Sequence, residues 1–328
     1  MAAAGRLGEF EFIARLLRPL AASFPGAFEL GDDTARVPLP PGEELVVKTD
    51  ALVCGVHFLP NHPPGRVAQK ALRVNLSDLA AAGARPVAYQ MALVLPDHID
   101  DAWLEAFCAG LAADQMTYGI ALCGGDTAST PGALTISITV LGGAPPDSVL
   151  GRGGAQPGDL VFVSGTIGDG ALGLLADTGR LREADVAGRA FLVDRYLLPQ
   201  PRLALGMGLR GVASACMDIS DGLAGDLGHI AARSTVQAVI DTERVPLSAA
   251  AAAVTARKPA LLETVLTGGD DYELLFTAPA ERRGEIATIA SSTGVPVTEI
   301  GKVEQGDGVI VRKDGTPLAL NRPGYRHR

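Results

Sequence analysis

Apolar residues recur at three- and four-residue steps in some stretches and at every second position in others, and the two periods alternate along the chain. Helical spacing marks 9–20, where Phe12, Ile13, Leu16, Leu17 and Leu20 share a face, and 67–82. It also marks 100–118, where Trp103, Phe107 and Leu111 align and Asp100-Asp101 favour the N-terminus. Strand-like runs occupy 44–49, ending at Asp50, then 87–95, 120–123 and 133–141. The last alternates polar and apolar residues and falls short of the roughly 20 consecutive apolar residues of a membrane span.

Turn residues then accumulate over 142–147, and 151–158 adds four glycines and a proline. Beyond them the alternation restarts. Strands are expected at 160–163, 216–220, 236–240, 272–277, 296–300 and 309–312, with helices between them, including the alanine run 249–253. The expected fold is α/β (α+β) with two domains, 1–145 and 146–328.

A chain of 328 residues can bury a sizeable core in each of two domains. Lys and Arg number 28 against 37 Asp and Glu, a net charge of −9. That balance lacks the basic footprint of a nucleic-acid binder and disfavours an anionic membrane surface. Cys54, Cys108, Cys123 and Cys216 form no CxxC pair, which argues against a zinc site or a disulfide scaffold. Residues 1–24 carry scattered charges and no apolar h-region, so no signal peptide is expected and the expected compartment is cytoplasmic.

An apolar segment followed by small residues and then aspartate recurs at Asp32-Asp33, Asp50, Asp78, Asp126, Asp218 with Asp221, and Asp270-Asp271. One such aspartate is an ordinary cap or turn residue. Six sites of this kind, several beside paired glycines, suggest carboxylates converging on a cation. Oxygen-only ligands select hard ions such as Mg²⁺, which bridge to substrate phosphates.

The common phosphate and nucleophile motifs are missing: there is no G-x-x-x-x-G-K-[ST] and no G-x-S-x-G. Gly206–Gly211 matches G-x-G-x-x-G but follows helix. Gly168–Gly173 follows the 160–163 strand, and Asp194 lies at about the distance of a ribose-binding acid, which keeps a nicotinamide-dependent oxidoreductase as an alternative. A non-catalytic cation-binding protein is another. His57, flanked by apolar residues, reads as a packed histidine unless Asp50 lines a cleft.

The ordered set of motifs resembles thiamine-monophosphate kinase, in the superfamily of aminoimidazole ribotide synthetase and selenophosphate synthetase. The pieces are Gly8-Glu9-Phe10, Glu29-Leu30-Gly31-Asp32-Asp33, Thr49-Asp50-Ala51-Leu52-Val53, Gly55-Val56-His57-Phe58 and the stretch 70–80 containing Asn75-Leu76-Ser77-Asp78. Gly124-Gly125-Asp126-Thr127, Asp218-Ile219-Ser220-Asp221-Gly222-Leu223, Asp226-Leu227-Gly228-His229-Ile230 and Gly268-Gly269-Asp270-Asp271-Tyr272-Glu273-Leu274 follow in order.

The resemblance implies phosphorylation of thiamine monophosphate by ATP, with several Mg²⁺ ions. It also implies a homodimer paired through the N-terminal domain and an ATP site in the cleft between the domains. It makes Asp33, Thr49, Asp50, Asp78, Asp126, Asp218 and Asp221 metal ligands, and Gly125, Asp126, Arg152 and Ser220 ATP contacts. His57, Asp270 and Arg322 fall at substrate-contacting positions. Another ATP-using enzyme of the superfamily is the near alternative. Three departures stand out: the Gly-Ile pair usual before Gly31 is missing, Lys48 replaces a serine near a metal, and position 322 and the terminal residue lack the usual aromatics, leaving Tyr325 nearby.

Overall fold

The structure, a computed structural model, describes residues 7–322 and Gly324. The chain divides into two compact units: one up to Leu79 together with Arg85–Pro146, the other Ala80–Ala84 and the chain from Asp147 onward.

The first unit is built on β1 (Glu44–Val53), β2 (Arg85–Pro96), β3 (Ala121–Thr130) and β4 (Thr135–Ala144), in the order β1-β4-β2-β3. Only β2 and β3 run parallel. The helices Pro64–Ala81 and Asp101–Tyr118 are held to one face by polar contacts, among them Gln115 Nε2 donating to the Tyr89 hydroxyl at 2.9 Å. They cross where Gly110 meets Gly65 so closely that a side chain at 110 would strike the Gly65 backbone. Arg73 clamps the buried Asp114 through two nitrogens at 2.7 and 2.8 Å. Asp100 caps the second helix by accepting from Trp103 N, and Gly119 ends it in the left-handed conformation (φ 65°).

The N-terminal helix extends over 9–21 and widens into a π turn at Ile13–Leu17, just before Pro19, which has no N–H to donate. Ala21, Ala27 and the loop after them pack on Cys123.

Three sequence expectations shift here. Gly124-Gly125-Asp126 is not the end of a short strand: β3 continues to Thr130, with Cys123 bulged out as the register slips between Tyr89 and Gln90. Gly142 and Gly143 belong to β4 rather than to a break, because Glu43 and Arg85 fill the space above Gly143. β1 runs past Asp50 to Val53, paired throughout with β4.

The second unit contains β5 (Leu160–Ser164), β6 (Ala215–Asp218), β7 (Gln237–Asp241), β8 (Leu274–Ala278), β9 (Val297–Glu304), β10 (Gly308–Lys313) and β11 (Thr316–Pro317). Their order is β11-β10-β7-β9-β5-β8-β6, with only β7 and β10 parallel. The core gathers Val161, Val163, Met217, Leu227, Ile240 and Leu275. Gly168–Gly173 does lead into a helix, Asp169–Asp177, but both neighbours of β5 are antiparallel and Asp194 lies in the helix Val186–Leu197. The parallel β-α-β unit of a dinucleotide site is therefore not formed around this turn. Among the described residues no helix is long and apolar enough to cross a membrane.

Candidate functional site

Strand alternation sorts the first unit's site residues onto two faces of its sheet. Lys48 and Asp50 point toward the helix Pro64–Ala81. There Asp50 N donates to Asn75 Oδ1 at 3.0 Å, and the Lys48 ammonium lies 3.1 Å from Asp78. Thr49 points the other way, its hydroxyl 2.8 Å from that of Thr139. Asp126 shares that second face, because its register row runs through Ala92 and Ser137 to Ala51.

On the second face, a cavity of about 420 Å³ is lined by Asp33, Gly125, Asp126, Gln90 and Thr139. Its lining holds the acids Glu9, Asp32, Asp33 and Asp126, and neither lysine nor arginine. Gly125 is required there, since a Cβ would run into the Met91 carbonyl. After β1 the chain turns tightly through Gly55 (φ 83°), and the Val53 N–H donates to His57 Nδ1 at 3.0 Å. That bond leaves Nε2 as the protonated nitrogen of a neutral His57 ring.

In the second unit the residues come from neighbouring loops. β6 ends at the buried Asp218, and the turn after it presents Ser220 and Asp221. The Asp226 carboxylate accepts from the backbone N–H groups of Ser220, Asp221 and Gly222 at 3.0–3.1 Å. The helix then begins at Leu223. Burial pushes the Asp226 carboxyl up to about 7 against those hydrogen bonds, helped by Asp218 and Asp221.

Gly268–Tyr272 lies on this turn: Asp270 N donates to Ser220 O, and Tyr272 N to Ile219 O. Asp270 has φ 62°. Asp271 turns inward and accepts from Gly168 N at 2.7 Å and Gly170 N at 2.9 Å. Glu273, fully buried, binds Ser164, Arg195 and Arg202. Arg152 is exposed, next to Gly151, whose carbonyl accepts from Cys216 of β6. Asn321 grips Glu263 through its backbone N–H and side-chain amide, at 2.6 and 2.8 Å. Arg322 follows it, exposed, and Gly324 lies against Asp221. Tyr325 and the terminal residue are outside the described residues.

Within each unit the structure thus brings together Asp33, Gly125 and Asp126; Asp50 and Asp78; and Asp218, Ser220, Asp221 and Asp270. It separates Thr49's hydroxyl from Asp50. Among the described residues no three His, Cys, Asp or Glu side chains close on one point as a metal site. The sequence placed Asp271 among the acids expected to converge on a cation and assigned Asp226 no role; in the structure both accept hydrogen bonds from backbone N–H groups of the site turns. For Asp226 the signal was an acid placed just after the 220–222 turn, whose free backbone N–H groups need an acceptor.

Residues 31–144 match the N-terminal domain model of the AIR synthase related proteins, and residues 156–314 match the C-terminal one. The thiamine-monophosphate kinase of Caulobacter vibrioides is 44% identical over 322 residues, covering 97% of this chain and 90% of that protein. The chain belongs to the thiamine-monophosphate kinase family. The Escherichia coli K12 enzyme of that name is 42% identical, with 98% of each chain covered. A solved structure of AaThiL complexed with AMPPCP and TMP matches with TM-score 0.78 and 34% identity, over 100% of both chains.

Proposed function

We propose that this chain transfers the γ-phosphoryl group of ATP to thiamine monophosphate, giving ADP and thiamine diphosphate by direct in-line displacement. The observation that carries the reading is the full-length likeness to AaThiL complexed with AMPPCP and TMP. The nucleophile is a phosphate oxygen of the substrate. With a second pKa of about 6, that phosphate is largely ionised at neutral pH and needs no general base. The difficulty is that one polyanion must approach another, which calls for charge neutralisation and positioning.

Asp33 and Asp126 in the acidic cavity, Asp50 and Asp78 beneath the sheet, and Asp218 and Asp221 on the β6 turn are the groups that would hold magnesium, with Thr49 at the edge of the open face. Around the Asp33 and Asp126 cavity the donor set fits: its charged lining is four acids with no base, which favours a cation; between Asp50 and Asp78 stands the Lys48 ammonium. Few protein ligands per ion suffice, since Mg²⁺ keeps waters and phosphate oxygens. Bound there, magnesium would neutralise and align the two phosphate chains.

Gly125 and Ser220 contact ATP, and the Arg152 guanidinium offers a fork to its phosphates. His57, Asp270 and Arg322 receive thiamine monophosphate, with Asp270 complementing the cationic thiazolium. The enzyme acts in the cytoplasm as a homodimer. The open face of the first sheet supports pairing: Leu45 and Val47 on the edge strand β1 are 50% and 54% exposed, beside Thr49 and Ala51.

A coupled ADP assay with chromatography of the thiamine products tests the reading. ADP and thiamine diphosphate are expected to appear together and only with thiamine monophosphate present, and both are expected to vanish in Asp50→Asn. ADP formation with a different acceptor would move the chain elsewhere in its superfamily.

A further inference from the structure

Lys48 stands two residues before Asp50 on β1, so both side chains leave the strand on the same face. That face is fixed against the helix Pro64–Ala81 by the bond from Asp50 N to Asn75 Oδ1, and Asn75 is itself held by donating to Ala71 O at 2.9 Å. Asp78 is three residues beyond Asn75, about one turn along the same helix face. The register thus converges Lys48, Asp50 and Asp78. The ammonium bridges the two acids, 3.2 Å from Asp50 Oδ1 and 3.1 Å from Asp78 Oδ2, with the lysine side chain 34% exposed.

Lys48 Nζ stands between the two carboxylates and supplies one positive charge to two negative ones. The cavity with Asp33 and Asp126 has no such internal cation.

We propose that the Lys48 ammonium is a tethered cation that takes the place of one divalent ion between Asp50 and Asp78, so that the chain carries its nucleotide with one fewer free ion. The inference rests on the kinase reading, in which these carboxylates face the phosphates.

The test counts ions on the full chain with saturating AMPPCP, using Mn²⁺ as the probe and electron paramagnetic resonance of the free ion as the readout. Lys48→Ala, which removes the charge and adds no ligand, is expected to bind one Mn²⁺ more per chain than the wild type. Lys48→Arg, which keeps the charge, is expected to match the wild type. Lys48→Ser carries the same expectation as Lys48→Ala should that variant fail to fold. A purely structural ion pair would leave the count unchanged. Equal, nonzero counts in wild type and Lys48→Ala therefore overturn the proposal and leave the kinase reading standing. No bound Mn²⁺ in either overturns both.

Discussion

At Asp271 a carboxylic acid is enclosed beneath the site loops, its two oxygens facing the N–H groups of Gly168 and Gly170. Burial pushes it up to about 8, over the opposing pull of those hydrogen bonds, with Asp169 and Glu273 adding to the rise. In an unfolded chain an aspartate titrates near 3.9. Between about pH 4 and 8 the folded chain therefore holds a proton that the unfolded chain has lost. The stability this group contributes is complete below that window and drains away as pH rises through it. Urea midpoints measured from pH 5 to 8 should show the gap between wild type and Asp271→Asn narrowing with rising pH. A constant gap would contradict the assignment. Asp226 shows the same logic beside the β6 turn: three backbone donors and one buried acceptor set where Ser220 and Asp221 stand. These roles were hard to read in the sequence because Asp226, one turn into a helix, and Asp271, after a pair of glycines, each look like a solvated acid. Only the burial, which arises from distant segments, distinguishes them.

The helix Asp101–Tyr118 was legible almost to the residue, because Asp100, Trp103, Phe107, Leu111 and Gly119 all point to the same ends and face. What the periodicity could not reveal is its partner: Asp114 on this helix meets Arg73 and Gln69 on the neighbouring one. Asp114→Ala leaves the Arg73 guanidinium without its buried partner and is expected to cost about 3–5 kcal/mol of unfolding free energy. Chemical denaturation measures that loss, and a change under about 1 kcal/mol, the range of a surface pair, would show that water reaches the pair. The strands β3 and β4 were harder to read. Glycine is ordinary turn punctuation, yet Gly125 and Gly143 stand inside strands because the Met91 carbonyl and the Glu43 side chain leave no room for a Cβ. Such close approaches depend on tertiary packing and carry no local signal. The same holds for the two-faced sorting of the site: the aspartates were identifiable one by one, while the alternation that turns Thr49 away from Lys48 and Asp50 needed the register of β1 on β4.

For the molecule as a whole, the full-length likeness to thiamine-monophosphate kinases and the ordered motifs agree on a nucleotide-handling kinase rather than a dinucleotide oxidoreductase, and the antiparallel neighbours of β5 weigh the same way. The open edge of the first sheet leads to an expectation about assembly. Light scattering should give twice the chain mass for the wild type and the single chain mass for Leu45→Asp combined with Val47→Asp. A wild type that runs as a monomer at all concentrations would remove the proposed pairing.

The transfer itself can be followed with ATP labelled at the γ-phosphate. The proposed nucleophile is a phosphate oxygen of the substrate, so the label should pass directly into thiamine diphosphate, with none retained on acid-denatured protein. Label trapped on the protein, or released as inorganic phosphate regardless of thiamine monophosphate, would contradict direct in-line transfer between the two phosphates.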